Sequence, residues 1–124
     1  GHPVGCRAAL ENISIIEREG LILHAKTVGE YFQSKLSTLR DLDYVGDVRG
    51  QGLMLAVDIV QDKVKKTAFP VSARAAARVF EACVSEGLIV RPVGDRIILS
   101  PPLILNREHV DQMHDILRRG LSIL

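Results

Sequence analysis

The stretch "RPVGDRIILSPPL", residues 91–103, decides the fold. Gly94-Asp95 stands between two apolar runs, Leu88–Val93 and Arg96–Ser100, which is the signature of a tight antiparallel hairpin. Pro92 removes a ladder donor, so its strand belongs at a sheet edge. Pro101-Pro102 stops the return strand. Arg91 follows the oily Leu88-Ile89-Val90. A guanidinium there is costly unless it meets an anion or sits at the rim of the sheet.

Working outward, "VRGQGLMLAVDIVQD" (48–62) carries a second strand signal. Leu53, Leu55, Val57 and Ile59 alternate with Met54, Ala56, Asp58 and Val60. Arg49-Gly-Gln-Gly52 lacks the spacing of a phosphate loop and leads into a strand, so it reads as backbone geometry at a strand entrance, with Arg49 as an ion-pair residue. Residues 41–47 read as a loop. Residues 61–71 leave room for one more short strand, and Lys63-Val64-Lys65-Lys66 reads as a solvated basic loop.

The rest is helical. Pro3 suits a first helical position, and Ala9, Leu10, Ile13 and Ile16 recur at helical spacing. Beyond Gly20, which breaks or bends the run, Leu21, Ala25, Val28, Phe32, Leu36 and Leu39 share a face. Ser72 is the expected N-cap of a helix striped by Ala76, Val79, Phe80 and Cys83, and Gly87 ends it. Asn106 caps a last helix with Val110, Met113, Leu117, Leu121 and Leu124 on its buried stripe. The predicted order is α(α)–β–α–β–β–α. That gives an α+β fold: a small, mostly antiparallel sheet packed with helices.

The chain has 124 residues, enough for a single domain spanning 1–124, and a net charge of +1. Balanced charge and few aromatics point away from nucleic acid as a partner. No apolar run is long enough to cross a bilayer, so no membrane partner is expected. Cys6 and Cys83 read as two buried thiols in a reducing, cytoplasmic setting. His109 and His114 are five apart, off the spacing of a helical ligand pair, so no metal site is expected. No serine sits in a nucleophile elbow, and no lysine is flanked by anything marking a desolvated, activated amine. Arg91 remains: a surface or ion-paired residue, or a bidentate clamp for a carboxylate.

"GHPVGCRAALENISIIEREG", "VGDVRGQGLMLAVDIVQDK" and "GLIVRPVGDRIILSPPLILNREHVDQM" resemble, in this order, the C-terminal part of class III aminotransferases. These are pyridoxal-phosphate enzymes of fold type I, and the likeness is nearest to ω-amino acid or amine–pyruvate transaminases. The resemblance implies the small C-terminal domain, with the large cofactor domain missing. It aligns Arg91 with the arginine that binds the substrate carboxylate. It places His2 and Pro3 beside the loop that holds the cofactor phosphate across a homodimer. No position matches the Schiff-base lysine, so no catalytic residue is assigned and the chain alone is expected to be inactive. Its implied partners are the large domain, a second subunit, and small amine and keto acid substrates. The alternative is a free-standing, non-enzymatic α+β module that binds a small carboxylate or a protein partner.

Overall fold

The computed structural model describes residues 1–124 as four α-helices and one four-stranded antiparallel sheet. The helices are α1 (Pro3–Arg18), α2 (Leu21–Ser37), α3 (Ala75–Ser85) and α4 (Arg107–Leu121), and the strands are β1 (Val45–Gln51), β2 (Met54–Ile59), β3 (Arg91–Val93) and β4 (Arg96–Leu99). The sheet order is β1-β2-β4-β3. The α+β expectation holds.

One strand more is present than the sequence predicts. Val45–Gln51 is β1, not loop and entrance, and Arg49-Gly-Gln-Gly52 runs through its end into the turn to β2. The register shifts between Val45 and Asp47, so a bulge breaks the alternation by which a strand is recognised. Residues 61–71 contribute only an isolated bridge, Asp62 to Thr67. The following hairpin is as predicted: Val93 pairs with Arg96 across Gly94-Asp95, and Pro92 lies in an edge strand. That edge strand is shorter than Leu88–Val93: it begins at Arg91, and Leu88 completes the C-terminal cap of α3. Its N–H donates to the Cys83 carbonyl and that of Gly87 to Val84, with Gly87 at φ +88°, a Schellman cap.

Gly20, at φ +61°, separates α1 from α2. Asn106 caps α4 as expected, its Oδ1 accepting the His109 N–H at 2.9 Å. Ser72 does not cap α3. It lies in a 3-10 turn, Val71–Ala73, and Arg74 opens the helix from a left-handed backbone.

One face of the sheet is covered. Val48, Val57 and Ile97 form a buried row across β1, β2 and β4, and Leu55 and Leu99 continue it. They meet Val28, Phe32 and Leu36 of α2, Ala76, Val79 and Cys83 of α3, and Val110, Leu117 and Leu121 of α4 in one hydrophobic cluster. Two of the sequence's assignments need correction here. Cys83 is buried but Cys6 is exposed, because α1 buries no residue within this chain. Lys63 is not merely solvated: its ammonium donates to the carbonyls of Arg40 and Leu42, and Lys65 pairs with Asp62.

Candidate functional site

The second face of the sheet has no helix on it. In an antiparallel sheet directly opposed residues point to the same side. The register therefore sets Arg91, Ile98, Ala56 and Arg49 in one straight row across β3, β4, β2 and β1. The next row is Val93, Arg96, Asp58 and Asp47. Burial agrees with the assignment: Arg91 and Arg49 are exposed and Ile98 and Ala56 half-buried, while their chain neighbours Ile97, Val57 and Val48 are fully buried.

Asp47 and Asp58 oppose each other, and each is neutralised separately. Asp58 is the centre of an ion-pair cluster, with Arg49 at 3.0 Å and the Arg96 Nε at 3.1 Å. Its side chain is 22% exposed, against more than half for either arginine, so the carboxylate is the fixed point and the arginines close over it. This confirms Arg49 as an ion-pair residue. Asp47 accepts the Val48 N–H and the Arg40 guanidinium, which hold its carboxyl below the usual carboxylate range.

Arg91 differs from these. It is exposed on the edge strand, and no carboxylate or carbonyl of the chain accepts a hydrogen bond from it. Of the sequence readings, an ion pair within the chain is absent, and both a surface arginine and a carboxylate clamp match its exposure. In the sheet register it shares a row with the half-buried Ile98 and Ala56, with the ion-paired Arg49 at the far end.

His2 and Pro3 are far more peripheral. Pro3 is the first residue of α1, and His2 precedes it, exposed and with no side-chain capping bond. A Schiff-base lysine requires desolvation, and none of the lysines is buried. Lys35, the least exposed, is committed to Asp111 at 2.7 Å, which raises its pKa. No group of three or more His, Cys, Asp or Glu side chains is placed to hold a metal ion. His114 instead bonds to Thr38 and Asp115. No helix is long and apolar enough to cross a membrane.

With this geometry in hand, the comparisons with known proteins define the class. The family model for aminotransferase class III matches residues 1–121. The chain is 36% identical to adenosylmethionine-8-amino-7-oxononanoate aminotransferase of Methanocaldococcus jannaschii, over 98% of its own length and 26% of the relative's. It is 37% identical to an omega-aminotransferase of Caulobacter vibrioides, over 98% of its length and 26% of that protein. A PMP-bound aminotransferase from Vibrio fluvialis superimposes with a TM-score of 0.96 at 36% identity, covering 99% of this chain and 27% of that one. The chain therefore belongs to the class III aminotransferases. It spans about a quarter of the length of the curated relatives it matches.

Proposed function

We propose that residues 1–124 are the small C-terminal domain of a pyridoxal-phosphate-dependent transaminase. The reaction would move an amino group from an amine or ω-amino acid to a keto acid such as pyruvate. The observation that carries this reading is Arg91: a guanidinium on an open sheet face, in the position the family resemblance gives to the carboxylate-binding arginine, with every donor free.

The chemistry of the reaction is the cofactor's. The share of this chain is recognition. Arg91 receives the substrate carboxylate in a bidentate pair, which fixes the orientation of the substrate as well as its affinity. Edge strand β3 holds the arginine, and Pro92, with its fixed φ, limits the motion of the backbone beside it. His2 and Pro3 lie at the N-terminal end of α1, where helix N–H groups favour an anion. This accords with a place near the cofactor phosphate of a homodimer. The Schiff-base lysine and the remaining cofactor contacts belong to a large domain outside these residues, so the chain alone is inactive.

Arg91→Ala in the complete enzyme tests the role. KM for carboxylate-bearing substrates should rise about 10- to 100-fold, the loss expected for a charge-assisted bidentate contact. KM for simple amines should change little. An equal effect on both substrate types would remove Arg91 from substrate binding.

The second reading, a free-standing module, is disfavoured by α1. A sixteen-residue helix with no buried residue is poorly explained in a self-sufficient domain and well explained by a neighbour that covers it.

A further inference from the structure

Three arginines, Arg49, Arg91 and Arg96, occupy the open sheet face, yet only one is uncommitted. Asp58 accounts for the difference. We propose that Asp58 sets how many carboxylates this face accepts: by occupying Arg96 and Arg49 it leaves Arg91 as the single free guanidinium, so the site takes a monocarboxylate keto acid in preference to a dicarboxylate. This inference rests on the reading of Arg91 as the substrate-carboxylate residue.

Distances decide which arginine matters. Arg49 shares a row with Arg91, but the sheet order puts three strand spacings between them, about 14 Å at the usual spacing. Arg96 is much nearer. Arg91 pairs with Ile98, and Arg96 lies two residues along the same strand, a diagonal neighbour. Diagonal cross-strand positions are about 7–8 Å apart and within reach of long side chains. The carboxylates of a short dicarboxylic acid are separated by a few carbon–carbon bonds, a span that two such guanidinium heads match.

Arg96 nevertheless faces away. Its neighbours across the ladder are Val93 on β3 and Asp58 on β2. The Arg96 Nε donates to Asp58 Oδ1 at 3.1 Å, so the head turns toward β2 and away from Arg91. The same oxygen accepts from Arg49 at 3.1 Å, so Arg49 closes on Asp58 from the opposite strand. Val93 offers no acceptor on the Arg91 side. Asp58 is thus a positioning residue that acts through Arg96.

Without that carboxylate, the Arg96 head is free to turn toward β3. The chain would then present two guanidinium groups in diagonal register, and the second carboxylate of a dicarboxylate would have a partner. A monocarboxylate gains nothing from the change, because Arg91 already serves it. The effect is therefore a change of preference between acceptors and falls on KM.

The experiment is to measure kcat and KM of the complete enzyme for pyruvate and for 2-oxoglutarate, in the wild type and in Asp58→Asn. The ratio of kcat/KM for 2-oxoglutarate over pyruvate should rise about tenfold, through KM. Asp58→Glu should hold the ratio near the wild type. Arg96→Ala added to Asp58→Asn should cancel the gain, which a general loosening of the sheet would not do. If Asp58→Asn folds poorly, Asp58→Ser carries the same expectation. A ratio unmoved by either variant, while Arg91→Ala still weakens carboxylate binding, overturns the role of Asp58 and leaves that of Arg91 standing. An Arg91→Ala enzyme with unchanged KM for carboxylates overturns both.

Discussion

Gly29 on α2 lies directly against the backbone of Gly52 in the β1–β2 turn: a Cβ at position 29 would sit 2.6 Å from the Gly52 carbonyl carbon and oxygen. Helix and turn meet there without an intervening side chain, and the contact fixes α2 against β1. Backbone cannot move aside as a flexible side chain can. Gly29→Ala should therefore destabilise the chain by about 1–3 kcal/mol, the usual cost of overpacking. The helix-propensity gain of Ala over Gly, up to about 1 kcal/mol, opposes it. Gly5 in α1 is the control, since its nearest neighbour would be 4.0 Å away. Gly5→Ala should be neutral or stabilising. Urea midpoints of the two variants check both signs.

The helices α2 and α4 are joined by a cluster that titrates at both ends of the pH scale. Asp111 accepts the Lys35 ammonium and the Tyr31 hydroxyl, each at 2.7 Å. Lys35 and then Tyr31 hold the Asp111 carboxyl below its ordinary value of 3.8. Arg118 lowers Asp41 and Arg119 lowers Glu86 in the same way. A depressed carboxyl contributes stability that is present above its unfolded pKa and is lost as pH falls through the folded value. Hydrogen bonding to Asp111 raises Lys35 above 10.5 and Tyr31 above 10.0. Their contribution is complete below those values and is lost as pH rises through the raised ones. Melting temperature should form a plateau near neutrality, decline below about pH 4 and again above about pH 10. Asp111→Asn should flatten the alkaline decline most, because it removes the partner of both groups. Each pair is exposed, so the individual effects are small.

The two thiols should separate cleanly by reactivity. Cys83 is fully buried, and burial, with a smaller push from Glu86, raises its pKa to about 11. Cys6 is exposed. The thiolate is the reactive form. A disulfide reagent at pH 8 should therefore titrate one thiol per chain rapidly and the second only in denaturant. Cys6→Ser should abolish the rapid phase. Two rapid thiols in the native chain would contradict the packing of α3 on α4.

The hairpin around Gly94-Asp95, the edge position of Pro92 and the Asn106 cap were legible because each depends on chemistry within a few residues. Strand β1 was not. Its bulge breaks the two-residue period by which a strand is read. Ser72 looks like a cap by residue type, but the left-handed turn at Arg74 starts α3 two residues later. The exposure of Cys6 was hidden for a related reason: a helical stripe marks a face to be covered without saying what covers it. The candidate site was legible only in part. Arg91 stood out as a charge beside an apolar run, and the role proposed for it comes from the family resemblance. The Asp58 ion-pair cluster could not be read, because Arg49, Asp58 and Arg96 converge only through sheet register.

The uncovered helices give the last prediction. Ile22 and Leu23 in α2 are each 70% exposed, as is Val4 in α1, and Leu10 and Ile13 are more than half exposed. Scattered exposed apolar residues are ordinary, but α1 exposes Val4, Leu10 and Ile13 without burying any residue in return. In water the 124-residue chain should self-associate, and its elution volume should fall with rising concentration. Leu10→Lys combined with Leu23→Lys should restore a monomer. The melting temperature should barely move, since neither side chain belongs to the core. A wild-type chain that stays monomeric across the whole concentration range would instead favour the free-standing module. A double variant that unfolds would mean that these residues contribute to the fold itself, contrary to their exposure.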